Sequence, residues 1–224
     1  DLAERGLALP TAEPWTDAET LRHEKAAVGY YLSAHPLDAY EAVLAARHVT
    51  AVADLAEKAR GGATSAMFAG TVERKVERRS ARGSSFAHLT VSDTTDAVDI
   101  TVFSERLKES RELLESGGSI LVTADLQLEN DSLRLTAQKI ESLDDVAQRQ
   151  SRALAVTLAD AAPVTDLQRI LEEGNGGRAT VSIVVRPPAA GREVEISLPG
   201  GFGLTPAVLE QIRRTPGVLG LSEE

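Results

Sequence analysis

Five cations stand close together near the middle of the chain, and their side chains are suited to binding phosphate. Residues 74–82 contain these five against a single acid, Glu77, whereas the 224-residue chain as a whole has a net charge of −10. The five cations are Arg74, Lys75, Arg78, Arg79 and Arg82. Because phosphate binding requires a local excess of positive charge, this segment predicts a contact with nucleic acid.

Two rings follow the cations at alternate positions of a predicted strand. Phe86 and His88 alternate with apolar residues that would face a core, so both rings are predicted to be exposed beside the cations. Flat rings can stack on unpaired bases. In the alternative interpretation, Phe86 packs beneath a neighbouring helix and the cations only keep a hairpin soluble. Arg134 and Lys139 are weaker candidates for an extension of the cationic track.

The residues give little support for catalysis or for the binding of a metal or cofactor. The histidines at positions 23, 35, 48 and 88 lack the spacing typical of metal ligands, and the chain has no cysteine. No nucleophile, phosphate-loop or dinucleotide motif occurs, and no apolar run approaches the roughly 20 residues that cross a bilayer. We therefore expect neither catalytic residues nor a metal or cofactor in this chain.

The middle of the chain alternates apolar and polar residues with the period of half-buried strands. Strands are predicted at residues 67–78, 85–92, 97–103, 119–128 and 133–143, with Ser104 as the N-cap of a helix after the third. Three strands, a helix and two strands are the order of an OB-fold, a five-stranded β-barrel that binds oligonucleotides across its second and third strands and nearby loops. The cations would lie on the first strand and in the loop after it.

Helical patterns precede this barrel. Thr16 and Glu19 form a predicted capping box for a first helix that ends at His35 and Pro36. A second helix is predicted after its cap Asp38, and a third over residues 52–59.

The final third of the chain is predicted to fold as βαββαβ, the order of a ferredoxin-like or split α+β module. The whole chain is then an α+β multidomain fragment. We assign residues 1–62 to an extended lead and helical segment, 63–143 to the barrel, 144–150 to a linker and 151–224 to the C-terminal α+β domain.

This C-terminal domain is predicted to bind protein rather than nucleic acid. Its arginines are scattered and it has no lysine, so no dense phosphate track forms. Val208, Leu209 and Ile212 on its last predicted helix are candidates for a partner surface. Alternatively, these apolar residues cover the domain's own sheet.

Residues 24–40 carry a specific motif. The matching positions are Glu24, Gly29, Tyr31, Leu32, His35, Pro36, Leu37 and Tyr40. This segment resembles the one that precedes the OB domain in the alpha subunit of bacterial DNA polymerase III, the replicative C-family polymerase. The lead at Pro14 and Trp15, the strand from Ala69, the loop at Arg82 and the strand end from Leu89 are similar to the same family.

The resemblance implies a C-terminal region that contacts single-stranded template through its OB-fold and the clamp-loader tau subunit through its terminal domain. The parent would be a cytoplasmic DNA-directed DNA polymerase, a nucleotidyltransferase of chromosomal DNA replication, whose catalytic residues precede this region. The sliding-clamp motif is expected just upstream of Asp1, since the chain starts without Met and residues 1–14 do not match that motif. Alternatives are a free-standing OB-fold protein that binds single-stranded nucleic acid, a scaffold that binds no DNA, and an error-prone paralogue.

Overall fold

The structure is a computed structural model that describes residues 15–80, 83–130, 132–150, 152–185 and 194–223. The chain divides into two compact units, Asp1–Ala34 and His35–Glu224. Within the described ranges, no helix is long and apolar enough to cross a bilayer.

The first unit contains helix α1, Asp17–Val28. The predicted capping box is confirmed, because the Thr16 side chain accepts from the backbone N–H of Glu19 and the Glu19 carboxylate accepts from the backbone N–H of Thr16. The predicted extension to His35 is wrong. Gly29 adopts a left-handed conformation with φ of 87° and ends the helix as its C-cap.

The second unit begins with short helices. The predicted second and third helices are confirmed, each preceded by a 3-10 turn. They are the turn Asp38–Tyr40 with α2 Glu41–Ala46, and the turn Val52–Asp54 with α3 Leu55–Arg60. The predicted cap is wrong, because Asp38 is the first residue of the 3-10 turn and Tyr40 is the N-cap of the second helix.

The predicted OB-fold is confirmed by a closed barrel in the order β1-β2-β3-β5-β4. Among the described strand pairs of this barrel, β3 with β5 is parallel and the others are antiparallel. The helical connection differs from the prediction, since it consists of two short helices and Ser104 is the first helical residue rather than a capping side chain. The elements are β1 Ser65–Arg79, β2 Ser85–Ser92, β3 Ala97–Phe103, α4 Ser104–Glu109, α5 Arg111–Ser116, β4 Ser119–Glu129 and β5 Ser132–Ser142.

Strand β1 pairs with two different strands and so closes the barrel. Its first half pairs with β4 and its second half with β2, and the change occurs at Gly70 and Thr71. A Cβ atom on Gly70 would lie 2.4 Å from Val91 and 2.6 Å from the carbonyl oxygen of Ser92. The close approach of the strands that closes the barrel therefore requires glycine at this position.

A second sheet follows helix α6, Leu143–Gln148, which occupies most of the predicted linker. The predicted βαββαβ order is confirmed, and the sheet order is β8-β7-β6-β9. The predicted ferredoxin-like or split pairing is wrong, because β6 and β7 pair directly and in parallel. The elements are β6 Ala153–Leu158, α7 Val164–Glu173, β7 Asn175–Val185, β8 Val194–Ser197, α8 Pro206–Arg214 and β9 Val218–Glu223.

Candidate nucleic-acid interface

The outer face of strands β1, β2 and β3 carries nine side chains in three cross-strand rows. Outward residues alternate with core residues such as Ala87, Leu89 and Ile100, which are buried. The rows are Arg78, Phe86 and Phe103; Val76, His88 and Thr101; and Arg74, Thr90 and Asp99. We call this surface the three-row face. Neighbouring rows lie about 7 Å apart, because two residues along a strand rise that far.

A β-bulge decides which cation belongs to this face. The register between β1 and β2 shifts between Val72 and Arg74, so that Arg74 lies opposite Thr90 and Lys75 opposite the buried Leu89. A bulge of one residue moves every later side chain of the strand to the other face. As a result, Arg74 and Arg78 point outward and Lys75 does not.

Lys75 is neutralised at the end of the barrel. Its side chain is 18% exposed and its Nζ lies 3.0 Å from Glu77 Oε1 and 3.8 Å from Glu115 Oε1. The hydrogen bond from Lys75 and the nearby charge of Arg111 lower the pKa of Glu77. The sequence grouped Lys75 with the phosphate-binding cations, but the structure gives it a role in holding α5 against the barrel.

Three of the other predicted cations are exposed on β1. Arg74, Arg78 and Arg79 form no ion pair with any residue that the structure describes. Arg78 and Arg79 belong to the strand rather than to the loop, since they pair with Phe86 and Ser85. Arg82 lies outside the described residues.

The predicted rings lie beside these arginines, and a third ring joins them. His88 is exposed and meets the half-buried Phe86 edge to face, with ring centroids 5.3 Å apart. Phe103 lies directly opposite Phe86 and is 56% exposed. The sequence analysis missed Phe103 as a site residue, although the alternation that exposes Phe86 and His88 also predicts an outward Phe103.

A shallow groove of about 240 Å³ lies in the three-row face. The groove contains one acid, Asp99, whose Oδ1 accepts a hydrogen bond of 2.7 Å from the Thr90 hydroxyl. Its lining residues are Arg74, Val76, Arg78, His88, Thr90 and Asp99. Asp99, Thr90 and Val76 were also missed as site residues, and only the pairing of the three strands brings them together.

The proposed extension of the track onto β5 is weakened by ion pairing. Arg134 pairs with Glu129 at 2.9 Å, and Lys139 pairs with Glu141 at 2.9 Å. Each cation therefore meets phosphate only after giving up a carboxylate partner.

A larger groove, of about 670 Å³, lies between α2 and the barrel. Its lining includes three acids, Asp38, Glu41 and Asp93, together with His48. Among described residues, no group of three or more acids and histidines is placed to hold a metal ion. Because acids repel phosphate, the smaller groove with its arginines suits nucleic acid better.

The His-Pro motif holds the start of the second unit together. The backbone N–H of His35 donates to Asp38, and the backbone N–H of Leu37 donates to His35 Nδ1 at 3.2 Å. The Tyr40 hydroxyl donates to Asp144 at 2.8 Å, and burial together with this carboxylate raises the pKa of Tyr40. These contacts give the motif a structural role, and they connect it to Asp144 in the predicted linker.

Asp93 joins the β2–β3 turn to the segment before α3. Burial would raise its pKa, but hydrogen bonds from Thr95, Val52 and Asp96 lower it overall. The backbone N–H of Val52 donates to Asp93 at 2.8 Å across the two segments. The strand end from Leu89 in the family resemblance thus contains a structural anchor.

The apolar residues proposed as a partner surface on α8 belong to the core. Leu209 is 7% exposed, Ile212 is 0% exposed, and Val208 packs against the same cluster. The alternative interpretation, that they cover the domain's own sheet, is confirmed. The described large apolar residues of this domain that remain exposed are Val164, Val194, Ile196 and Leu219.

Curated relatives of the chain are alpha subunits of DNA polymerase III. The subunit of Caulobacter vibrioides is 29% identical over 216 residues, which are 96% of this chain and 19% of that protein. The subunit of Thermus aquaticus is 28% identical over 96% of this chain and 17% of its own length. That of Rickettsia prowazekii is 33% identical over 59% of this chain and 11% of its own. The similarity to this polymerase subunit inferred from the motif is confirmed, and the chain spans less than a fifth of these relatives.

Solved structures similar to the chain include two single-stranded DNA-binding proteins. The mitochondrial protein Rim1 of S. cerevisiae is 21% identical with a TM-score of 0.32, covering 36% of this chain and 93% of that one. The protein of Thermus aquaticus is 19% identical with a TM-score of 0.31, covering 35% of this chain and 40% of the mutant crystallised. No family model matches the chain.

Proposed function

We propose that this chain is the C-terminal region of a bacterial DNA polymerase III alpha subunit, and that its barrel holds single-stranded template during chromosomal replication in the cytoplasm. One observation carries the proposal. In a chain similar to this subunit over 96% of its length, the three-row face combines arginines that have no described ion-pair partner with exposed rings. By the resemblance to the polymerase subunit, polymerisation itself would belong to the rest of the parent protein.

The arginines and the rings have different roles in the proposed binding. Arg74 and Arg78 on the three-row face, and Arg79 exposed at the adjoining end of β1, neutralise phosphates without sequence preference. Phe103, His88 and Phe86 offer surfaces on which bases stack, each worth about 1–3 kcal/mol. Together they favour an unpaired strand over a duplex, whose bases are already stacked on each other.

The test is fluorescence anisotropy of a mixed-sequence single strand of 20 nucleotides, titrated with the full chain from 50 to 200 mM salt. If the three arginines each meet one phosphate, log K falls against log salt with a slope of about −2, from about −0.7 per contact. The same strand annealed to its complement is the control. Equal binding of single strand and duplex, or no salt dependence, would refute the proposal.

We also propose that the second sheet binds the clamp-loader tau subunit, with the edge strand β8 as the contact. Val194 and Ile196 on this strand are each 50% exposed. An exposed edge strand offers unpaired backbone groups and apolar side chains to a partner. The sliding clamp would bind a motif before residue 1.

Calorimetry of the C-terminal region of tau against the full chain tests this assignment. Ile196→Glu should weaken binding at least tenfold, because it places a charge in an apolar contact. The matched control is Thr165→Glu on α7, which adds the same charge elsewhere on the domain. Tight binding by both variants would place the tau site outside β8, and no binding by the unmodified chain would exclude tau as its partner.

A further inference from the structure

Asp99 is an unexpected residue on a surface built for phosphate. It lies at the end of the row that begins with Arg74, and Thr90 stands between the two. No ion pair joins Asp99 to Arg74 or to any other described residue. A carboxylate that remains unneutralised beside a bound strand repels its phosphates, so the part of the strand that faces Asp99 must be something other than the backbone.

The hydrogen-bonding capacity of Asp99 shows what it can accept. An ionised carboxylate has about four lone-pair sites and no donor. The Thr90 hydroxyl takes one site, on Oδ1, and fixes the orientation of the carboxylate. The remaining sites accept further N–H or O–H donors, and the donors that a DNA strand offers along its length are the N–H groups of its bases.

The distance between Asp99 and the rings fits a base edge. Asp99 lies in the row next to His88 and Thr101, about 7 Å along the strand, and two rows from Phe86 and Phe103. The groove of about 240 Å³ is smaller than the roughly 300–1,000 Å³ of pockets for whole small-molecule ligands. A base stacked on the rings can therefore extend its edge toward Asp99, while its phosphates reach the arginines of β1.

Building on the proposed binding of single strands, we infer that Asp99 makes the groove selective for bases that carry an exocyclic amine. Cytosine presents an N4 amine that Asp and Glu accept, and adenine presents an N6 amine. Guanine also carries an exocyclic amine, at N2. Thymine and uracil carry no exocyclic amine. They offer a carboxylate one N3–H, and the O2 and O4 acceptors on either side of it repel the carboxylate oxygens. Single strands of cytosine, adenine or guanine are thus preferred over strands of thymine or uracil.

Oligonucleotides of deoxycytidine and deoxyuridine, each 15 nucleotides long, provide the sharpest test, because the two bases differ only in the group at position 4 and in the proton at N3. The full chain is titrated with each at pH 7.5 and 50 mM salt. We expect dC15 to bind about 5- to 100-fold more tightly than dU15. In Asp99→Asn the ratio should fall to about twofold or less, because an amide can both accept from cytosine and donate to O4 of uracil.

The control variant is Asp166→Asn on α7, which removes an equal charge outside the three-row face and should keep the ratio of the unmodified chain. Equal affinity of the unmodified chain for dC15 and dU15, with a steep salt dependence, would overturn the inference and leave the proposed function standing. A preference for dC15 that survives in Asp99→Asn would also overturn it, by placing the acceptor elsewhere. Failure of both oligonucleotides to bind would overturn the inference and the proposed function together.

Discussion

Arg74 and Arg78 on the barrel's outer face differ in their surroundings from three arginines of the second domain. Arg74 and Arg78 have no ion-pair partner among the described residues. In the second sheet and its helices, ion pairs hold Arg152 to Glu223 at 2.7 Å, Arg169 to Glu173 at 3.2 Å and Arg214 to Glu210 at 2.7 Å. Arg178 and Arg213 of the second domain also have no ion-pair partner among the described residues, but they lie on separate elements, β7 and α8. Pairing and spacing together, more than arginine content, thus determine whether a surface is available to phosphate.

The two regions also differ in the kind of exposed side chain that could contact a ligand. The three-row face exposes the rings of Phe103 and His88, whereas the described exposed apolar residues of the second domain are aliphatic. Rings stack on bases, and aliphatic side chains on an edge strand suit a protein contact. The difference favours nucleic acid as the ligand of the barrel and protein as the ligand of the second sheet.

The largest expected effect comes from removing the unpaired cations of the barrel. The triple variant Arg74→Ala, Arg78→Ala and Arg79→Ala should bind a mixed-sequence single strand about 100-fold more weakly at 50 mM salt, with a salt slope flatter by about 2. The control triple Arg169→Ala, Arg178→Ala and Arg213→Ala removes the same charge from the second domain. Equal losses in both triples, measured by anisotropy, would show that overall charge rather than the three-row face sets binding.

Removing the Glu223 charge from the second sheet should lower the stability of the fold rather than weaken the binding of single strands. Arg152 is 8% exposed and donates to both Glu223 and the carbonyl of Leu204. Glu223→Gln leaves this buried guanidinium without its carboxylate and should lower the free energy of unfolding in urea by about 2–3 kcal/mol. Glu173→Gln, which breaks the exposed pair with Arg169, should cost less than about 0.5 kcal/mol.

If Glu223→Gln weakened binding of single strands while the chain remained folded, the separation between the two regions would be wrong.

Removing one exposed ring should weaken binding without changing its salt dependence. Phe103→Ala is expected to cost about 1–3 kcal/mol of binding free energy, the value of one stacked base. Leu219→Ala, at a similarly exposed apolar residue of the second sheet, should leave affinity unchanged. Unchanged affinity in both Phe103→Ala and Phe86→Ala would mean that charge alone holds the strand.

The smallest effect is expected at Lys75, although the sequence placed it among the phosphate contacts. Because Glu77 and Glu115 already neutralise it, Lys75→Ala should change the salt slope by much less than the roughly 0.7 of one phosphate contact. Arg78→Ala should change it by about that full amount. A slope change at Lys75 as large as that at Arg78 would contradict the inward orientation that the bulge imposes.

Local patterns in the sequence were sufficient to locate most elements. Alternation of apolar and polar residues predicts Ser85–Ser92 and Ala97–Phe103 with the ends that the structure shows. The order of strands and helices likewise indicated the barrel. The end of α1 could have been read from Gly29, a residue suited to a left-handed C-cap.

The sequence by itself determined which segments form strands, where the cations and rings lie along them, and that the barrel has OB-fold order, because these properties depend on neighbours within a few residues. Only the tertiary structure determined which cations have no ion-pair partner among the described residues. The bulge after Val72 depends on how β1 pairs with β2, and the neutralisation of Lys75 depends on α5 returning to the barrel end. Tertiary structure also places Asp99 in the groove. The groove is formed by three strands, and the register in which they pair is not encoded by any one of them.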